Sequence, residues 1–509
     1  MANVYDQTPY HSPLRQKALG GLLIIGFIFF VAVATFATLL APPILMLFIT
    51  PFLIAILAFA QKGKSTPMRI ITPLVITAAV LMPLWPVYVH LKLGPMPIMT
   101  PPRIIFYLLT IFWVYDMVVS PLRRGHFYYG VKHSRWICGL FFTFFAINAF
   151  SIVIAAGRAV AAPEFVRQFI IWFLPFCIFL TYVRDKNTFK KMLVAITIGA
   201  SIAALIGILE FLTQISLVSL LSPIIADDAV WLRISQEAKL RDGIFRAQAT
   251  HTHPLSLGEY LSFCLPIALT FLVTARKKRL LWGAAALLIF VCIIATNARG
   301  AILGTGAGLL LLGSFYLIRM VRMPRFVALK PVFGLASIAM IASTPAIGYG
   351  VYHVVTGESG TSAARSSQAR IDQIKTAWPK IMKRPIGGYG TGRAAKIIGY
   401  WGRTLSVDNY YLSLAVDFGF PGPILFLSLM IVTSTISHRY ARVARFRTQA
   451  LFLGFSAAII TFIVMRMIIS QTGNLSFIYP LLGAFAGMSA RLDKGFRRAP
   501  ALLNSRRPI

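Results

Sequence analysis

At 509 residues the chain would ordinarily hold about three soluble domains, but 57% of it is hydrophobic, only 13% is charged and its mean hydropathy is +0.74. Soluble proteins carry roughly 25% charged residues, so a set of water-soluble globular domains is excluded. The remaining charge is lopsided, with 50 Lys and Arg against 15 Asp and Glu and a net +35; the cations come as short clusters between apolar runs, not as one basic face, so no nucleic-acid partner is expected.

A hydrocarbon core about 30 Å thick needs about 20 helical residues. That ruler gives candidate spans near 20–40, 43–61, 71–90, 104–121, 136–156, 165–183, 192–213, 256–275, 280–296, 301–318, 332–352, 409–437, 450–469 and 477–490. The fold class expected is an all-α polytopic membrane protein of about 14 helices. Span 409–437 is overlong and holds Gly419, Pro421, Gly422 and Pro423, which predicts a kink or break near its first third. Residues Met1 to Lys17 are polar, and no small-residue cleavage site follows the first apolar run, which reads as a retained span. Cys138, Cys177, Cys264 and Cys292 lie in apolar stretches without paired spacing, so neither a disulfide framework nor a zinc site is indicated.

The basic clusters orient the spans. With the N-terminus inside, every even-to-odd loop is positive: Lys62 to Arg69, Arg123 to Arg135, Arg184 to Lys191, Arg276 to Arg279, Arg319 to Lys330 and Arg439 to Arg447. The tail from Arg491 to Arg507 is basic as well. This register predicts both termini in the cytoplasm. It divides the chain into an N-terminal membrane region (1–213), a first outer loop (214–255), spans at 256–352, a large outer loop (353–408), spans at 409–490 and a basic cytoplasmic tail (491–509).

Chemistry is expected on the two outer loops. The first ends Arg246-Ala247-Gln248-Ala249-Thr250-His251-Thr252-His253-Pro254, running into a helix for which Pro254 is an ordinary start. His251 and His253 lack a third ligand at zinc spacing. Arg246 lies beside a polar stretch where an anion could reach it, or else it is an interfacial arginine. The turn Thr296-Asn297-Ala298-Arg299-Gly300-Ala301 is too tight for a solvated loop, so Arg299 is held at the outer boundary, where no positive-inside pressure explains it.

The second outer loop carries Ile371, Ile374, Trp378, Ile381 and Met382 near helical spacing among Arg370, Asp372, Lys375, Lys380 and Lys383. That pattern predicts an amphipathic helix lying on the membrane, kinked or split by Pro379. Arg384-Pro385-Ile386-Gly387-Gly388-Tyr389-Gly390-Thr391-Gly392-Arg393 follows; no strand precedes it, so it is not a dinucleotide loop, and a glycine turn over a substrate is expected instead. Asp408, before Asn409-Tyr410-Tyr411-Leu412, stands at a helix start and can be read as its N-cap or as a general base opposite the arginines.

Taken together, the Arg before a His-Pro helix start, the Asn-Ala-Arg-Gly-Ala turn, the Arg-Pro-Ile-Gly-Gly-Tyr-Gly loop and the Asn-Tyr-Tyr-Leu to Phe-Gly-Phe-Pro-Gly opening resemble the O-antigen ligase/polymerase superfamily of bacterial membrane glycosyltransferases. The likeness covers about 240 to 490. It implies a site on the periplasmic face of the inner membrane, with Arg246 and Arg299 as the functional arginines. Ligases of this group carry a histidine where this chain has Asp408, which points toward the repeat-unit polymerases of exopolysaccharide and O-antigen assembly. The resemblance implies a polyprenyl-diphosphate-linked oligosaccharide as donor, an acceptor glycan, and a chain-length regulator and flippase as further partners beside membrane lipids. Asp408, Arg299 and Arg246 are the expected catalytic residues; Asn409, His253, Arg370, Arg384, Tyr389 and Arg466 are the expected substrate-binding residues. No cofactor is expected, because a lipid-linked donor carries its own activation, and metal independence is expected with it. The competing class is a transporter, which would place ionisable groups near the midplane; the candidates Asp116, Glu210 and Arg466 form no such relay in sequence.

Overall fold

In the computed structural model the described residues are 65–90, 99–155, 158–220, 240–241, 243–275, 277–321, 362–399, 407–444 and 446–504. The helices run in chain order α1 Met68–Leu84, α2 Pro101–Val119, α3 Pro121–His133, α4 Arg135–Ile154, α5 Arg158–Gln168, a π-helical turn Phe169–Phe173, α6 Leu174–Tyr182, α7 Lys186–Thr213 and the short α8 Leu217–Leu220. A two-stranded antiparallel hairpin follows, β1 Leu240–Arg241 and β2 Ile244–Phe245. Then come α9 Pro254–Thr274, α10 Arg279–Ala295, α11 Arg299–Val321, α12 Ser362–Lys383, α13 Ala394–Ile398, α14 Tyr410–Phe418, α15 Pro421–Val443, α16 Phe446–Met465 and α17 Leu475–Asn504.

Eight helical stretches among the described residues are long and apolar enough to cross a membrane, and α1 and α10 are shorter apolar helices. The expected spans at 20–40, 43–61 and 332–352 lie outside the described residues. The expected break in 409–437 falls at Gly419, whose φ of +74° ends α14 one residue before α15 is entered. A Cβ there would meet the Pro385 carbonyl, so the break and the close approach both require glycine. Sequence reading missed α3, which lies in an expected cytoplasmic loop and is capped by Ser120 accepting the Arg123 amide.

The core is aromatic. Phe141 of α4 stacks on Phe176 of α6 with ring centres 3.8 Å apart, and Tyr479 of α17 closes on Phe141 and Trp172. Small residues let helices touch: Gly483 packs on the Phe176 backbone, Gly308 on Ala457 and Thr461. The four cysteines are buried and free.

The bundle has two chemically different ends. At one, Ser134 bonds Ala486 and Ser489, Tyr440 bonds the Ser489 carbonyl, and Lys186 reaches Thr448, which gathers the basic ends of α3, α7, α15, α16 and α17. Asp116 is tied in here as well: it accepts from Thr66 and Tyr182 and pairs with Arg123 at 3.4 Å. The opposite end collects the polar turns that follow α7, β2, α10 and α16.

Candidate functional site at the polar end of the bundle

The segment carrying Arg246 is held by a buried carboxylate. Glu210, near the end of α7, accepts the amides of Leu217 at 2.6 Å, Gln248 at 3.0 Å and Ala249 at 2.6 Å. Ala249 sits at φ +47°, and its carbonyl accepts from Tyr88. From this fixed turn Arg246 donates Nε to the Thr296 carbonyl at 2.9 Å, and the Ala247 amide bonds the Ala295 carbonyl. Arg246 is thus tethered to the turn that bears Arg299. Its Nη2 is buried without a hydrogen-bond partner. Burial, and secondarily Arg241, lowers its pKa to about 10, so the guanidinium stays charged at neutral pH.

The Arg299 turn packs on α9. A Cβ at Gly258 would meet Ala298 and Ala301, Ser262 bonds the Ala301 carbonyl, and Asn297 takes φ +46°. Gly300 lies against Ile468, just after α16. His253 caps α9 by accepting the Leu255 amide at Nδ1, with Pro254 at the first helical position. His251 is buried against the Tyr260 ring at 5.4 Å, and burial lowers its pKa to about 4, so it is neutral.

Beneath this layer is a network that sequence reading missed in part. Arg466, fully buried, donates Nη2 to Glu259 at 2.7 Å and Nη1 to the Gln471 carbonyl at 2.6 Å. Its guanidinium lies 5.1 Å from the centre of the Tyr410 ring. Asn474 donates to Glu259 and to the Ser256 carbonyl, and Ser256 bonds Gln471. Arg466, an expected substrate-binding residue, is placed in this buried set. Glu259 was readable as a lone carboxylate inside an apolar span.

The same network positions Asp408. The Tyr410 amide bonds the Arg466 carbonyl at 3.0 Å, and Ser470 bonds the Val407 carbonyl. The Asp408 amide donates to Gln373 of α12 at 3.0 Å. Residues 407–410 are therefore strung between the α16–α17 turn and α12. The expected cap is corrected here: Asn409, not Asp408, caps α14, its Oδ1 accepting the Leu412 amide at 3.1 Å. The Asp408 carboxylate has no capping duty. Burial raises its pKa and Arg370 opposes the rise, so these two expected site residues do share one electrostatic neighbourhood.

Arg384 and Tyr389 belong to another connection. Arg384 donates to the Ile154 carbonyl and stacks on Tyr389, whose hydroxyl bonds the Lys380 carbonyl. The glycine turn expected over a substrate wraps the end of α14: Gly387 bonds Phe418, Gly390 bonds Asp417, and the Asp417 carboxylate accepts the amides of Gly392, Arg393 and Ala394. Gly388, at φ +58°, abuts the Asp417 backbone. Of the kink or split of α12 expected at Pro379, the split does not occur; the helix runs through it. Its Ile371, Ile374, Trp378 and Met382 form an exposed apolar stripe, while Gln373, Ala377 and Ile381 are buried on the adjoining face.

A bundle of membrane-length helices, with two arginine-bearing turns and a carboxylate tied together at one end, is a multi-pass membrane protein built around a terminal polar site. Residues 284–427 match the family model described as O-Antigen ligase, which supports placing the chain with the O-antigen ligase/polymerase superfamily. The matched stretch includes Arg299, α12, the glycine turn and Asp408; Arg246 precedes it. No curated protein matches the chain.

Proposed function

We propose that the chain is an inner-membrane glycosyltransferase that takes a polyprenyl-diphosphate-linked glycan at the periplasmic face and polymerises exopolysaccharide or O-antigen repeat units. The observation that carries this reading is the division of labour at 408–409: with Asn409 as cap, the Asp408 carboxylate is released from that duty, on a segment anchored through Arg466 and Ser470 to the layer that packs on the Arg299 turn.

In this reading the acceptor hydroxyl gives its proton to Asp408 as its oxygen attacks the anomeric carbon of the donor. The bond from that carbon to the diphosphate oxygen breaks, the electron pair leaves with the diphosphate, and the anomeric centre inverts. Arg246 and Arg299 bind the diphosphate and offset the charge that grows on it, a task suited to guanidinium forks. Asn409, His253 and Arg370 border the same layer and would contact glycan or phosphate. A carboxylate moved toward neutrality by burial is a better base at neutral pH than an exposed one. No nucleotide or metal enters the scheme. A chain-length regulator and a flippase would supply and measure the lipid-linked units.

The second reading, ligation of a finished glycan to a lipid or protein acceptor, is favoured by the description of the matched family. Purified protein given only lipid-linked repeat units distinguishes them. A ladder of lengthening products is expected; transfer only when a separate lipid or protein acceptor is added would establish ligation. Lipid-linked units crossing a vesicle bilayer with no glycosidic bond formed would replace both with transport.

A further inference from the structure

The basic end of the bundle holds a cavity that the glycosyl-transfer reading does not use. It has a volume of about 550 Å³, within the range of about 300–1,000 Å³ that ligand sites occupy. Lys132, His133 and Arg135 of the α3–α4 junction, Arg439 and Tyr440 of α15 and Ser489 of α17 line it, and among the described residues no carboxylate does. Its floor is rigid: Ser134 is bonded to the Ala486 carbonyl and to Ser489, and Tyr440 to the Ser489 carbonyl.

A shallow depression of about 430 Å³ shares Arg135 and Trp136 with the first and continues along the surface of α4 past Gly139, Leu140 and Thr143. Those residues recur at one-turn intervals, so the depression follows one face of the helix for about 10 Å into its apolar run. Its surface is mostly apolar and comes from α4 alone among the described residues. A Cβ added at Gly139 would meet nothing within 4 Å, so the missing side chain leaves the depression open. Trp136 is exposed where the two join, with the Arg135 guanidinium 5.4 Å from its ring centre, an amphipathic pairing suited to the headgroup level.

A cationic chamber opening into an apolar furrow matches a molecule with an anionic phosphate head and a hydrocarbon tail. We propose that this is a binding site for an anionic glycerophospholipid, its phosphate held by Lys132, Arg135 and Arg439 and one acyl chain laid along Gly139, Leu140 and Thr143. Basic pockets between membrane helices on the cytoplasmic side bind such headgroups. A free phosphate would use the chamber and ignore the furrow; a zwitterionic lipid would use the furrow and gain little from the cations.

The test is native mass spectrometry of the full chain, stripped of lipid in detergent and titrated with phosphatidylglycerol or phosphatidylcholine. The expected result is a saturable single phosphatidylglycerol adduct. The triple substitution Lys132→Gln, Arg135→Gln, Arg439→Gln should weaken it at least about tenfold. A charge-matched control, Lys277→Gln, Lys278→Gln, Arg279→Gln, should leave it unchanged. Gly139→Leu keeps every charge and fills open space, so it should weaken phosphatidylglycerol without disturbing the fold. Equal losses in both triple variants would reduce the effect to net surface charge and overturn the proposal. An adduct indifferent to Gly139→Leu, or displaced by inorganic phosphate at equal concentration, would overturn it too. So would a preference for a polyprenyl phosphate over the glycerophospholipid.

Discussion

Asn409 Oδ1 accepts the Leu412 amide at 3.1 Å, and this one bond separates two neighbouring residues that sequence alone leaves interchangeable. Asp408→Asn should therefore leave thermal stability close to that of the parent while lowering transfer by about 10²–10⁴-fold. Asn409→Ala removes the cap and should cost about 0.5–2 kcal/mol of stability, a loss that Asp408→Asn does not show. The pH profile adds a sign. Transfer needs the Asp408 carboxylate, so activity should fall as pH drops through its raised pKa; Arg370→Gln removes the opposing cation, raises that pKa further and should move the acid limb to higher pH. An acid limb unmoved by Arg370→Gln would detach Asp408 from catalysis.

Arg246 uses Nε to hold the Thr296 carbonyl and keeps Nη2 buried without a partner. One ammonium cannot serve both places, so Arg246→Lys should raise the donor concentration needed for half-maximal rate at least about tenfold. Arg299→Lys should lower the maximal rate more, by about 10²–10³-fold, if its fork acts on the departing diphosphate. Near-parental kinetics in both variants would return the two arginines to structural duty.

The Glu259–Arg466 pair is fully buried, and deleting one member strands the other charge. Glu259→Gln or Arg466→Met alone should cost about 3–5 kcal/mol in detergent unfolding, and the double replacement Glu259→Leu, Arg466→Met should recover much of that loss. If Arg466 instead contacts substrate, the double variant would regain stability but no donor binding.

His251 is buried and neutral, with its pKa lowered to about 4. Between that value and the ordinary 6.5 the unfolded chain binds a proton that the folded chain does not, so stability is present above about pH 6.5 and declines as pH falls toward 4. The decline amounts to about 3 kcal/mol. Unfolding midpoints followed from pH 7 to pH 4 should show it, and His251→Phe should flatten the curve. An unchanged slope in that variant would assign the acid lability elsewhere.

What the sequence exposed and what it hid divide by physical range. Helices such as α4 and α7 were legible because an apolar run of membrane length leaves the backbone few options. The break at Gly419 was legible because glycine and proline act locally. The pairing of Arg246 with Thr296 was not, since it joins chain segments through a carbonyl that any residue could supply. The capping role passed to Asn409 for a similar reason: Asp and Asn cap about equally well, and only the tertiary anchors on Val407 and Tyr410 decide the register. Pro379, where a kink or a split was expected, fits inside α12 without splitting it.

Glu210 gathers amides from both sides of a long excursion, Leu217 before it and Gln248 and Ala249 after it. The two ends of that excursion are stapled to one carboxylate, and Arg246, two residues before Gln248, takes its place from the stapled end and from its bond to the Thr296 carbonyl. Lengthening or shortening the chain between 221 and 239 should therefore disturb the position of Arg246 little. A swap between relatives confined to 221–239, which leaves Arg241 and Arg246 in place, becomes a natural way to re-tailor substrate choice.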